Sequence, residues 1–118
     1  MSDAKIHPLG GGPTRCTTLP TDSAGRKTYP IATGFLDYFP DAIAELSRVS
    51  HAATAQHHPG AEKPYWERGK SNDQDDTCMR HFLQRGTRDT DGQRHTAKAA
   101  WRLIAILQLE IEAEREGK

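Results

Sequence analysis

The sequence predicts an all-α fold, a small helical bundle of two to three long helices per subunit, completed by oligomerisation. Apolar residues recur at three- and four-residue spacing in three separate stretches, each bounded by residues that start or stop helices, and no stretch reads as a strand. Composition supplies the case for a partner. Of the 118 residues, 35% are hydrophobic and 7% aromatic, low for a domain that buries its own core. Either part of the chain is unstructured or subunits share a core.

Residues 1–24 carry Gly10, Gly11, Gly12, Pro13 and Pro20 among Ser and Thr, with few large apolar side chains, and read as a flexible N-terminal arm. Residues 25–118 form the predicted all-α domain. Pro40 suits the first turn of a helix and Asp41 complements its positive end. Ile43, Leu46, Val49 and Ala53 make the apolar stripe of that helix. Asp41 and Arg48 fall on the other side, with Glu45 at the stripe's edge. Pro59, Gly60 and Pro64 then break the pattern into a long loop, of the kind that often carries function in a small domain.

Asn72 or Asp73 can cap a second helix, whose apolar side is Cys78, Met79, Phe82 and Leu83 and whose stop is Gly86. Asp73, Asp76 and Arg80 share its neighbouring strip. Residues 88–92 read as a tight turn. A third helix runs from about Gln93 to about Glu114. It is apolar nearly all round from Ala99 to Ile111, which predicts burial or a place in a subunit interface, and His95 and Arg102 lie two turns apart along one side.

Lys plus Arg and Asp plus Glu are both 16, so the net charge is zero. That excludes a general coat for a nucleic-acid polymer, whose affinity comes from excess positive charge. It leaves room for an enzyme acting on nucleotides, which holds both signs close together. Cys16 and Cys78 stand far apart in unlike contexts and fit a reducing compartment. The N-terminus lacks the apolar core of a secretory signal and no apolar run matches a bilayer span. The expectation is a cytoplasmic protein with no membrane partner.

Two constellations carry candidate chemistry. The first is acidic: Glu45, Asp73 and Asp76 sit beside helix stripes that must face each other, with Asp89 and Asp91 in the turn before the third helix. Such hard oxygen ligands suit Mg2+ beside a phosphate. The same carboxylates also read as ordinary helix-end charges. The second is basic: Lys63, Arg68, Lys70, Arg80, Lys98 and Arg102 offer phosphate ligands, and Arg80 and Arg102 equally suit structural pairing with acids. Gly69-Lys70-Ser71 fails as a phosphate loop, because the required earlier glycine is Pro64. Cys78 and His81, with His57-His58, fall short of a zinc site for want of a second paired motif. Trp66 and Tyr65 suit either stacking on a base or plugging the loop. His81 and His95 suit either substrate contact or a half-buried structural role.

The run Trp66-x-Arg68-Gly69-Lys70-Ser71-x-Asp73-x-x-Asp76, then Arg80-His81, then Asp89-Thr90-Asp91-Gly92-x-Arg94-His95-x-Ala97-Lys98-x-Ala100-Trp101 resembles the phage dATP/dGTP diphosphohydrolase N-terminal family, related in role to MazG-like all-α nucleotide pyrophosphohydrolases. The resemblance covers about residues 25 to 112. It implies Mg2+- or Mn2+-dependent release of pyrophosphate from a purine deoxynucleoside triphosphate, in a pathway where dGMP feeds 2-aminoadenine synthesis. The motif does not itself say which residues ligate metal; for such a hydrolase the expectation is that Glu45, Asp73 and Asp76 hold metal and that Glu45, Asp76 and His81 carry catalysis. Trp66, Arg68, Lys70, Arg80, His95, Lys98 and Arg102 bind substrate, and a homodimer or homotetramer is expected. The paired ExxE and ExxD motifs of MazG proteins are absent, with Asp73-x-x-Asp76 the nearest substitute. His57-His58-Pro59 stands where His-Asn-Pro is expected. The rival class is a helical interaction protein or a nucleotide-binding regulator without turnover.

Overall fold

The computed structural model describes residues 17–69 and 72–117. Residues 1–16, most of the expected arm, and the candidate ligand Lys70 lie outside that set. The described residues hold four α-helices: α1 (Ser23–Arg26), α2 (Pro40–His57), α3 (Gln74–Leu83) and α4 (His95–Arg115). They contain no strand, and the backbone pairs only at an isolated bridge between Arg88 and Arg94. The all-α expectation therefore stands, with three long helices.

Local chemistry sets the ends. Pro40 occupies the first turn of α2, where its missing N–H costs nothing, and Asp41 faces the helix's positive end. Asp75 and Asp76 open α3 and Arg80 and His81 close it, the arrangement the helix dipole favours. Gly86 has φ +87°, a left-handed value at which a Cβ is strained. Gly86→Ala is accordingly expected to lose about 1 kcal/mol of stability in urea denaturation. An unchanged midpoint would mean that the turn relaxes at no cost. Between α1 and α2 the chain makes one π-helical turn, Ala32–Leu36, in which Asp37 N donates to Ala32 O at 2.9 Å. Sequence periodicity gave no hint of it. Phe35 and Phe39 pack at 5.5 Å within this hook, and both are exposed.

α3 and α4 are antiparallel neighbours. His81 meets His95, Cys78 Sγ donates to Ala99 O at 3.2 Å, and Arg102 donates to Gln74 at 2.9 Å, so numbers fall on one helix as they rise on the other. Ala97, Ala99 and Ala105 are buried, and such small side chains let α3 approach α4 closely. The α3 stripe that does this is Gln74, Thr77, Cys78 and His81, one face at 3.6-residue spacing. Met79, Phe82 and Leu83, expected as the apolar side of α3, are exposed instead. The reason is phase: the polar stripe meets α4 and the apolar one faces out.

α4 packs on α2 as well as on α3. It shows Leu103, Ile104 and Leu107 to solvent, at 57%, 49% and 54% exposure, so the subunit itself does not bury the helix expected to be covered all round. Among the described residues no large side chain is fully buried.

Candidate functional site

Since α4 contacts both α2 and α3, and those two scarcely meet each other, a gap is left between them. It is a cleft of about 510 Å³ with α4 as its floor, within the range of about 300–1,000 Å³ usual for small-molecule sites. One wall comes from α2 and the loop after it: Val49, Ala53, Tyr65 and Trp66. The opposite wall comes from α3 and the turn: Gln74, His81 and Asp91. The floor adds Lys98, Trp101 and Arg102.

The aromatic wall is fixed by its own hydrogen bonds. Tyr65 N donates to Thr54 Oγ1 at 2.8 Å, tying the loop back to α2. Trp101 Nε1 donates to Ser50 Oγ at 2.8 Å, and the Trp66 and Trp101 rings meet edge to face with centroids 5.4 Å apart. Both tryptophans are half-buried. The Arg68 guanidinium covers the Trp66 ring at 4.6 Å and pairs with Glu112 at 3.4 Å; both charged side chains are 7% exposed. Gln108 also donates to Glu112, at 2.8 Å. His58 lies against Tyr65 with centroids 4.5 Å apart, so the residue that departs from the expected His-Asn-Pro supports this wall.

The charged wall is a compact network. Lys98 Nζ donates to Asp89 and to Asp91, each at 2.8 Å. Burial opposes the charge on Lys98, but these two bonds outweigh it and hold its pKa above the ordinary lysine value. The same hydrogen bonds from Lys98 hold Asp89 below the usual carboxylate range and Asp91 well below it. Thr90 N donates to Asp89 and Gln93 N to Asp91, which fixes the orientation of both carboxylates. His81 Nδ1 and His95 Nδ1 are 2.9 Å apart. His81 is half-buried and His95 buried, and burial followed by the neighbouring His95 lowers the pKa of His81.

Of the sequence candidates, Trp66, Arg68, His81, Lys98 and Arg102 line the cleft. His95 stands behind His81. Arg68 stands in the lining paired with Glu112, as Lys98 stands there paired with Asp89 and Asp91. Arg80 lies away from the cleft lining, 63% exposed, and bonds Thr77 with Asp73 at 4.0 Å. Glu45 is paired with Arg48 on its own helix at 3.9 Å, and Asp76 is exposed in the first turn of α3. Within the subunit, Glu45, Asp73 and Asp76 do not share a metal-sized group; among the described residues that property belongs to His81, Asp89 and His95. Cys78 is buried and takes no part in it.

Ser50, Gln74 and Glu112 were missed from sequence, and Trp101 was read only as part of the motif, without a role. A polar residue inside an otherwise apolar stripe, such as Ser50 beside Val49, was the available signal for one of them.

A family model described as dATP/dGTP diphosphohydrolase, N-terminal, matches residues 20–118. No curated protein and no solved structure matches the chain.

Proposed function

The chain belongs to the dATP/dGTP diphosphohydrolase N-terminal family, and on that footing we propose that it cleaves purine deoxynucleoside triphosphates to the monophosphate and pyrophosphate in the cleft over α4. The observation that carries this reading is the two-sided lining: the Tyr65 and Trp66 rings on one wall, and on the other His81, toward which the floor cations Lys98 and Arg102 reach. A nucleotide has the same division between base and phosphates. Trp66 and Tyr65 stack on the purine, a contact of about 1–3 kcal/mol per base. Lys98 and Arg102 project from the floor toward the opposite wall and bind the triphosphate, Arg102 being held in place by Gln74. Water adds to the α-phosphorus, the bond to the α–β bridging oxygen breaks, and pyrophosphate departs against these fixed cations.

A divalent ion, Mg2+ or Mn2+, supplies charge neutralisation on the triphosphate when bound. Of these two ions the polar set at the charged wall fits Mn2+, because the Asp89 carboxylate and the His81 and His95 imidazoles converge there. We place the reaction in phage nucleotide metabolism, where dGMP release supports 2-aminoadenine synthesis. We also assign the exposed apolar side chains of α4 to contact with a second copy in a homodimer or homotetramer. No helix among the described residues is long and apolar enough to cross a membrane.

The test is product analysis by anion exchange after incubation with dGTP, dATP, GTP and dCTP, with metal and with EDTA. The expected result is dGMP and dAMP with pyrophosphate, only when metal is present. No product from any nucleotide, together with a nucleotide-induced rise in melting temperature, would replace hydrolysis by binding alone.

A further inference from the structure

We propose that His81, His95 and Asp89 form a binding site for a divalent first-row transition ion at the junction of α3, α4 and the turn between them. The inference rests on the hydrolase reading above and adds the location and class of the ion. The ligand atoms of these three side chains all lie within 4.8 Å of one another.

The histidine pair is the first argument. The Nδ1 atoms are 2.9 Å apart. Adjacent ligands on a six-coordinate ion with metal–nitrogen bonds of about 2.1 Å are separated by about 3.0 Å. The two rings already stand at the edge length such an ion requires. Along that line one ring at most can present a proton to the other, so at least one lone pair faces the gap.

Ligand type is the second. Two imidazoles and one carboxylate suit manganese, iron, cobalt, nickel or zinc, whereas magnesium takes an almost all-oxygen shell. A set with three protein ligands leaves positions for water and for a phosphate oxygen.

The third is the support behind the ligands, which metal sites use to fix orientation. Asp89 accepts Thr90 N–H at 2.7 Å and Lys98 at 2.8 Å. His95 is 5% exposed, and its backbone N donates to Thr87 O at 3.1 Å. Lys98 is the obvious competitor for Asp89. Its second bond, to Asp91 at 2.8 Å, keeps the ammonium partnered when Asp89 turns to an ion.

The experiment titrates EDTA-treated protein with Co2+ alone and follows visible ligand-field absorption and calorimetric heat. One saturable site is expected, weakened at least tenfold by His81→Gln and by Asp89→Asn, and unaffected by Asp76→Asn. His95→Gln is included with circular dichroism as a folding check, and the more exposed His81 carries the same test where that variant unfolds. Absence of Co2+ binding, or binding indifferent to His81→Gln, would overturn the site and leave a plain imidazole–imidazole hydrogen bond. Loss in Asp76→Asn alone would move the ion to the carboxylates of α2 and α3 and equally overturn it. Magnesium-dependent cleavage of dGTP without a Co2+ site would remove this inference and spare the hydrolase reading. A Co2+ site in a protein that cleaves nothing would do the reverse.

Discussion

Glu112→Ala is expected to destabilise the protein by about 3–5 kcal/mol in urea denaturation, because it removes a buried carboxylate that pairs with the buried charge of Arg68. The two side chains are each 7% exposed and meet at 3.4 Å. Alanine removes the carboxylate and cannot draw water in its place. Gln108, which donates to Glu112 at 2.8 Å, loses that acceptor too. The loop responds through Trp66, over which the guanidinium lies at 4.6 Å, so nucleotide affinity should fall with stability. Glu112→Gln keeps an acceptor and should cost less. An Arg68→Met, Glu112→Leu double variant should recover most of the loss, since a matched apolar pair needs no solvation. A cost below about 1 kcal/mol for Glu112→Ala would show a pair solvated like a surface salt bridge.

Lys98→Gln is expected to lower kcat/KM for dGTP by about 10²–10³-fold, the cost typical of removing one donor that stabilises developing negative charge. Lys98 lines the cleft and is 18% exposed. Its loss also leaves Asp89 and Asp91 facing each other without their shared cation. The two consequences separate by measurement: steady-state kinetics on the folded variant reports phosphate binding, and thermal denaturation reports the turn. Turnover that falls only in proportion to the unfolded fraction would make Lys98 a structural clamp and nothing more.

What could be read from the sequence is local. Pro40 and Gly86 mark helix ends through dihedral preferences that act within a few residues, and Asp73 holds the N-cap position of α3, although its side chain makes no capping hydrogen bond there. Arg102 could be nominated because it shares one side of α4 with His95, and Lys98 because it stands in the family motif. What was not legible depends on which helix stands opposite which. Periodicity gives α3 two faces, and the polar one, led by Gln74 and Thr77, turned out to meet α4. The carboxylate trio Glu45, Asp73 and Asp76 presupposed α2 and α3 as facing neighbours, whereas α4 lies between them as the common contact. Arg68 finding Glu112, and Ser50 finding Trp101, are pairings that no spacing rule encodes. The π-helical turn before α2 arises from a backbone hydrogen-bond register that side-chain pattern does not specify.

The two walls of the cleft also differ in how far along the chain their contacts reach. On the charged side, the linked residues are 9 apart for Asp89 and Lys98 and 14 apart for the two histidines. On the aromatic side they are 44 apart for Arg68 and Glu112 and 51 apart for Ser50 and Trp101. Short loops close at lower entropic cost and faster than long ones. The α3–turn–α4 hairpin should therefore assemble first in folding, and the aromatic flap should dock onto it later. In the native state the same order runs backwards. The flap should open before the charged hairpin, and amide hydrogens around Tyr65 are expected to exchange sooner than those around Ala99. On the proposed function, such a build would let a bulky base enter and leave by local opening while the charged hairpin stays in place.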